Sequence, residues 1–386
     1  MNWFNTNLRD ILVGRMNRFG QIISAIILAI IIGALIIYIN GDDPLVAYQA
    51  LIISSLGSSA AIASTLSKST PLILTGLCAT IAFRSGVINI GGEGQLYMGA
   101  IAGAIVGVYI TGLPAIIHLP LALIAGALAG FIWAAPFEWF KVKYGTDELV
   151  TTTLANYIAI LFTTYLVTNP LLKPGAPLGM TRNILPSAYL PKLVSHGQLN
   201  VGFLIAVSLC VILWFVFFRT TLGYELRMVG SNPRFSRYIG ISVGFRQILA
   251  MGLSGALAGL GGAIVVLGIQ HRFIQNLSPG WGFDGILIAL LAGLNPLGVL
   301  PMGLLFGILK SGGLGMEAAT NVPSELSEVL QSIIIFFVAA EIGITMFFRW
   351  RNNQKVQVEE SLKMGTLDEG VFVPSNQSSS FSDGEE

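Results

Sequence analysis

"FRSGVINIGGEGQLYMGA", residues 83–100, puts Arg84, Asn89, Glu93 and Gln95 into a tract otherwise apolar enough to cross a membrane. It also carries Gly86, Gly91, Gly92, Gly94 and Gly99. A charge in hydrocarbon costs at least ~2.5 kcal/mol on insertion scales. Backbone without helical hydrogen bonds is tolerated at that depth only where protein encloses it or where it borders a wet cavity. Glycines spaced as in "GVINIGGEG" loosen a helix and admit other backbones. The stretch therefore predicts a discontinuous helix near 84–95, shielded from lipid. Broken helices near the midplane commonly build transport sites, so Arg84–Gln95 is a candidate lining for a translocation path. Glu93 is open to two readings: contact with a substrate, or an internal partner such as Arg84 or a buried hydrogen-bond donor. The row Gly99, Gly103, Gly107 reads as helix packing, since small residues at this spacing bring helices together without a ligand. On these readings Glu93→Gln should disturb transport more than Gly99→Ala.

The rest of the chain suits that setting. Of 386 residues, 54% are hydrophobic and 11% are charged, against about 25% charged in a soluble domain. Apolar residues come in blocks long enough to cross a hydrocarbon core of ~30 Å as helix, not in the alternating segments of an outer-membrane barrel. The expected fold is all-α, a polytopic membrane helix bundle. A net charge of +1 supplies no field for nucleic acid. Cys78 and Cys210 lie in apolar runs and read as small filler. His118, His196 and His271 are far apart, with no H-E-x-x-H spacing, so no metal site is expected. Lone histidines of this kind read as hydrogen-bonded structural groups. No clustered nucleophile and base suggests an enzyme.

Candidate spans are 21–39, 45–67, 70–90, 93–111, 117–140, 148–168, 200–218, 247–269, 283–297, 299–316 and 328–348. Lys and Arg collect in four places: Arg9, Arg15 and Arg18; Lys141 and Lys143; the segment 219–246; and Arg349, Arg351 and Lys355. The positive-inside rule puts all four, and both termini, in the cytoplasm, with loop 169–199 outside. Counting between these clusters gives about ten transmembrane helices. One apolar piece before Lys141 is then an incomplete crossing, most naturally at the glycine break. Residues 1–351 form the membrane domain, and 352–386, ending in "SNQSSSFSDGEE", read as a disordered polar cytoplasmic tail.

The segment 219–246, "RTTLGYELRMVGSNPRFSRYIGISVGFR", interrupts two apolar runs. Gly230, Asn232–Pro233 and Gly240 punctuate it. Between them "PRFSRYIG" predicts one short helix with Pro233 in its first turn. Phe235, Tyr238 and Ile239 would supply an apolar knob flanked by Arg234 and Arg237. The segment is either an ordinary positive-inside loop or a docking helix for a soluble partner.

Together these blocks resemble a known family. "TPLILTGLCATIAFRSGVINIGGEGQLYMGA", "YGTDELVTTTLANYIA", "TTLGYELRMVGSNPRFSRYIGI", "GLSGALAGLGGA" and "GFDGILIALLAGLNPLGVLPMGLLFGIL" are similar to the permease subunits of bacterial ABC importers for nucleosides. Those belong to the wider branched-chain amino acid and simple-sugar permease group. The resemblance covers about residues 60–315 and leaves the tail after Asn352 unassigned. It implies a pore shared with a second, related permease or a self copy, ABC ATPase subunits docked below, and an extracellular substrate-binding lipoprotein, all at the bacterial cytoplasmic membrane. Gly223, Glu225, Arg227, Gly230, Pro233, Arg234, Phe235, Arg237, Tyr238 and Gly240 would then form the ATPase-coupling region.

The chain has no G-x-x-x-x-G-K-[ST], so ATP would be bound by a partner subunit and no cofactor is expected here. Nucleoside recognition would use aromatic stacking and polar hydrogen bonds. Phe83, Arg84, Asn89, Glu93, Gln95, Asn156, Trp281 and Asp284 are the path candidates. Trp281 and Phe283 are also open to reading as interfacial anchors. Thr151–Thr153 either read a ribose or bond their own backbone. Two alternatives share this composition. One is a permease of the same group for simple sugars or branched-chain amino acids. The other is an ion-coupled secondary transporter, for which Glu93, Glu138, Asp284 and Glu341 would be the carboxylates.

Overall fold

The computed structural model describes residues 27–39, 41–194 and 197–320, with 322, 323, 325, 326, 328–330, 332, 333 and 336 beyond them. Arg9, Arg15, Arg18, His196, Glu341, Arg349, Arg351, Lys355, most of the expected span 328–348 and the tail 352–386 lie outside the described residues. Among the described residues the regular structure is helical, apart from isolated bridges at Met180–Ile274 and Lys192–Asn200.

The helices are α1 Ile27–Ile39, α2 Pro44–Leu56, α3 Ser59–Arg84, α4 Gly92–Tyr109, α5 Ala115–Tyr144, α6 Glu148–Thr168 and α7 Val201–Arg219. They continue as α8 Thr221–Ser231, α9 Pro233–Tyr238, α10 Val243–Val265 with a π turn to Gln270, α11 Trp281–Leu291 and α12 Pro296–Ala319. Six of them (α3, α5, α6, α7, α10 with its π turn, and α12) are long and apolar enough to cross a membrane.

Most starts are written locally. The side chains of Asp43, Ser58, Asp147, Asn200, Thr220, Asn232 and Asn295 each accept an N–H from the first turn of the helix that follows. These are the residue types that cap orphan amides. Pro44, Pro233 and Pro296 occupy first positions, where their missing N–H costs nothing.

Two expected spans differ from the structure. Residues 45–67 and 70–90 are not two spans divided at "KSTP". The division falls at Gly57–Ser58, and α3 runs through Pro71 for 26 residues. Ser58 caps a new helix there, whereas Pro71 removes only one N–H from a helix packed on every side. The expected span 283–297 is only the 11-residue α11, about 16 Å long. α2, with 13 residues, is a further short piece, and α4, which follows the glycine break, is not among the six long apolar helices.

α10 is the central element and packs on α3, α4 and α5, while α11 and α12 pack on α3. Contact is close because facing positions are small. A β-carbon on Gly99 would run into the Gly259 backbone, and one on Gly130 into the Gly255 backbone. The Gly99 row is therefore packing, as its spacing predicts, with Gly103 against Ala263 and Gly107 against Ile184. The loop 169–199 is sewn to the far end of α10 by Thr181 N–H to Phe273 O and Leu190 N–H to Leu267 O, both 3.0 Å. Nineteen residues of α7, about 28 Å, separate that loop from α8 and α9.

Candidate functional site

Two helices have glycine at the cap position, which offers no side-chain acceptor: α4 after Gly91 and α11 after Gly280. Ser278 Oγ accepts the Trp281 N–H at 3.0 Å, and further first-turn amides are satisfied across the fold. Gly94 N–H donates to Asn156 Oδ1 of α6 at 2.7 Å, and Asn156 Nδ2 donates back to Ile90 O at 2.9 Å. Gly282 N–H, in the first turn of α11, donates to Glu93 Oε2 at 2.6 Å. Glu93 itself sits in the first turn of α4, so one carboxylate faces the positive ends of two helices. Backbone approach permits this, since a β-carbon on Gly282 would collide with the Glu93 main chain.

The break between Arg84 and Gly92 carries its own polar lattice. The Asn89 and Gln95 amides bond reciprocally, Nδ2 to Oε1 at 2.9 Å and Nε2 to Oδ1 at 3.0 Å. Asn89 Oδ1 also accepts Gly91 N–H at 2.9 Å, and Asn89 Nδ2 donates to Ser254 Oγ at 2.8 Å. Ser254 Oγ donates to Cys78 O at 2.8 Å. Cys78 thus borders the lattice instead of filling an apolar gap, whereas Cys210 is buried in α7. Glu93 is 3% exposed, and Asn89, Gln95 and Asn156 are buried with it. Every one of these groups has a partner, which is what makes broken backbone tolerable at membrane depth.

Arg84 does not pair with Glu93. Its Nη1 donates to Leu294 O at 2.6 Å, just beyond α11, and its guanidinium lies 4.7 Å from the Phe218 ring centroid. Arg227 of α8 shares that ring at 5.2 Å. Phe83, half-buried, adjoins Arg84 in the last turn of α3. The structure thus gathers Asn89, Glu93, Gln95 and Asn156 around the break, with Arg84 at its rim. Trp281 and Asp284 lie one step away on α11. Asp284 pairs with Lys310 of α12 at 2.9 Å, and Lys310 lies 3.5 Å from Glu328.

The basic segment meets this site directly. The Gly230 backbone in α8 rests on the Arg84 carbonyl and on Gly86, whose φ of 73° suits a glycine. A β-carbon on either glycine would push the segment away. Glu225 pairs with Arg246, and Gly223 packs against the end of α7 at Phe217. α9 is the short helix expected at "PRFSRY", with Asn232 Oδ1 accepting Phe235 N–H at 3.0 Å. Only Ser236 is buried in it. Arg234, Arg237 and Phe235 are exposed, as are Ile239 and Gly240, and Tyr238 is 90% exposed.

Thr151, Thr152 and Thr153 Oγ1 donate to the backbone carbonyls of Asp147, Glu148 and Leu149, four residues back in each case. His118 bridges Ser187 Oγ and Val106 O, a structural role. Glu138 pairs with Lys141 at 3.3 Å, and Lys141 with Glu148 at 2.6 Å. The sequence reading missed Gly282, Ser254 and Phe218, which act only through tertiary contact. It also missed Lys68 and Lys310, although a lysine inside an apolar helix is itself a signal.

The chain matches, over residues 61–339, the family described as branched-chain amino acid transport system / permease component. It is 38% identical over 336 residues to the guanosine ABC transporter permease protein NupP of Bacillus subtilis, covering 86% of this chain and 96% of that one. It is 35% identical to the nucleoside ABC transporter permease protein NupB of Lactococcus lactis, covering 83% and 90%. The glucose ABC transporter permease protein TsgB13 of Haloferax volcanii is 32% identical, covering 86% and 89%.

Proposed function

This chain belongs to the permease-component family of branched-chain amino acid transport systems, and from that premise we propose that it is the membrane subunit of an ATP-driven importer of nucleosides. One observation supports the reading more than any other. The exposed α9 is joined through α8 to Gly230, which rests on the break at Arg84 and Gly86. A partner that grips α9 acts through α8 on the break that precedes α4. Arg84 extends the link to Leu294 and so to the end of α11.

In this reading a separate ABC ATPase binds and hydrolyses ATP, and its surface seats Pro233–Gly240. Gly223, Glu225, Arg227 and Gly230 transmit the movement. The α9 face supports a partner of mixed character, since it offers Phe235 and Tyr238 between Arg234 and Arg237. The helices α4 and α11 rock relative to α3 and α10, and the path changes the side on which it opens. Only a partner that binds the two states unequally can drive that change. Phe83, Arg84, Asn89, Glu93, Gln95 and Asn156 form the moving wall of the path. A second permease, related or identical, completes the pore, and an extracellular lipoprotein delivers the nucleoside. The finer topology follows the charge count: about ten crossings, with both termini and the basic segment on the cytoplasmic side of a bacterial membrane.

Nucleosides are favoured over sugars because two of the similar permeases are named for them at 38% and 35% identity. Glucose is the second reading, on the 32% relative. Cells with and without the gene, given labelled guanosine, uridine and glucose, decide between them. Nucleoside uptake should depend on the gene and survive collapse of the ion gradients while ATP remains. Gene-dependent uptake of glucose alone overturns the substrate, and uptake abolished with the gradients overturns the energy source.

A further inference from the structure

α3, α11 and α12, with Glu325 and Glu328, line an open cavity of ≈ 260 Å³. Small-molecule clefts begin at about 300 Å³, so this space suits one compact molecule and not a peptide. Its wall is charged, which is unusual between membrane helices. Lys310 is matched by Asp284 and Glu328. Lys68 of α3 and Glu325 line the same space, and among the described residues neither side chain has an ion-pair or hydrogen-bond partner. One open cation and one open carboxylate thus face a common cavity. Lys68 is half-buried and Glu325 is exposed, so both groups are open to a molecule that enters the space. Trp281 completes the wall with an aromatic surface.

The complement of this wall is a molecule with an acceptor for an ammonium, hydroxyl donors for a carboxylate and a flat ring for an indole. It should carry no net negative charge, because Glu325 and Glu328 balance Lys68 and Lys310 along the wall and Asp284 behind it already pairs with Lys310. A ribonucleoside meets each condition, and a nucleotide phosphate does not. We propose that this cavity is a substrate subsite, in which Trp281 stacks on the base, Lys68 donates to a base acceptor and Glu325 accepts from the ribose hydroxyls. The Asp284–Lys310–Glu328 set positions the wall. The subsite rests on the nucleoside reading above. It also adds to it, because Trp281 and Asp284 flank Gly282, the residue that Glu93 caps. An occupant here bears on the same helix start that the break holds.

The test uses the complete importer in membranes, with permease abundance measured alongside uptake of labelled guanosine and 2′-deoxyguanosine. Lys68→Gln and Glu325→Gln should each lower guanosine uptake at subsaturating concentration by about tenfold or more, the usual loss for a hydrogen bond to a charged group. Glu325→Gln should also erase any preference for guanosine over the deoxy form. If the parent takes up guanosine and both variants stay within about twofold of it, the subsite is wrong while the transport reading stands. An equal fall for both nucleosides in Glu325→Gln marks a structural role and also overturns it. If the parent takes up neither nucleoside, the transport reading fails first and the subsite falls with it.

Discussion

The helix break at 85–91 and the short helix α9 are both polar interruptions of an apolar chain, yet they solve opposite problems. At the break, Asn89, Glu93, Gln95 and Asn156 are buried and bonded to one another or to neighbouring backbone. On α9, Arg234, Arg237, Phe235 and Tyr238 project outward, and only Ser236 turns in. Polar residues that satisfy each other hold an architecture together. Polar and aromatic residues left open on one small helix await something else. Gly230, in α8 just before α9, touches the break.

That contrast can be broken most sharply at the packing beneath it. Gly99→Ala drives a methyl into the Gly259 backbone, where neither helix can yield locally. Overpacking costs about 1–3 kcal/mol or more, so the yield of monodisperse protein in detergent and its thermal midpoint should both fall. Gly261→Ala, two residues from Gly259, meets only an ordinary contact with Leu74 and should leave both unchanged. The readout here is stability, whereas the order expected from sequence, Glu93→Gln above Gly99→Ala, concerns transport. Equal behaviour of the two glycine variants would show that close backbone approach does not support the break.

The next effect belongs to α9. Arg237→Glu, or deletion of Pro233–Gly240, should abolish uptake and copurification of the ATPase while membrane abundance stays normal. Side chains that are already exposed contribute little to the fold. A variant that transports and copurifies as before removes the docking role. The smallest effect separates two readings of Glu93. Glu93→Ala leaves Gly282 N–H buried without an acceptor, at about 1–3 kcal/mol, whereas Glu93→Gln retains an oxygen for it. The thermal midpoint should therefore fall for Ala and change less for Gln. A larger loss for Gln would mean that the charge, not the acceptor, matters at this helix start.

Much of the fold was legible because it rests on local chemistry. α6 and α7 begin after Asp147 and Asn200, and α9 begins at Pro233 after Asn232, each a residue type that caps or starts a helix wherever it occurs. The break near 84–95 was legible for the same reason, since glycines and charges in an apolar tract admit few structures. What stayed hidden was non-local. "KSTP" looked like a boundary because Pro71 disfavours helix locally, and only packing around α3 carries the helix through it.

By itself, the order of residues determined that this is a membrane helix bundle with one interrupted helix and one basic segment, because hydropathy, capping and glycine act within a few positions. Only the tertiary structure decided that Glu93 caps α11 rather than pairing with Arg84, and that Gly230 touches the break. Those choices depend on which helices lie side by side, where a single absent β-carbon lets two backbones meet.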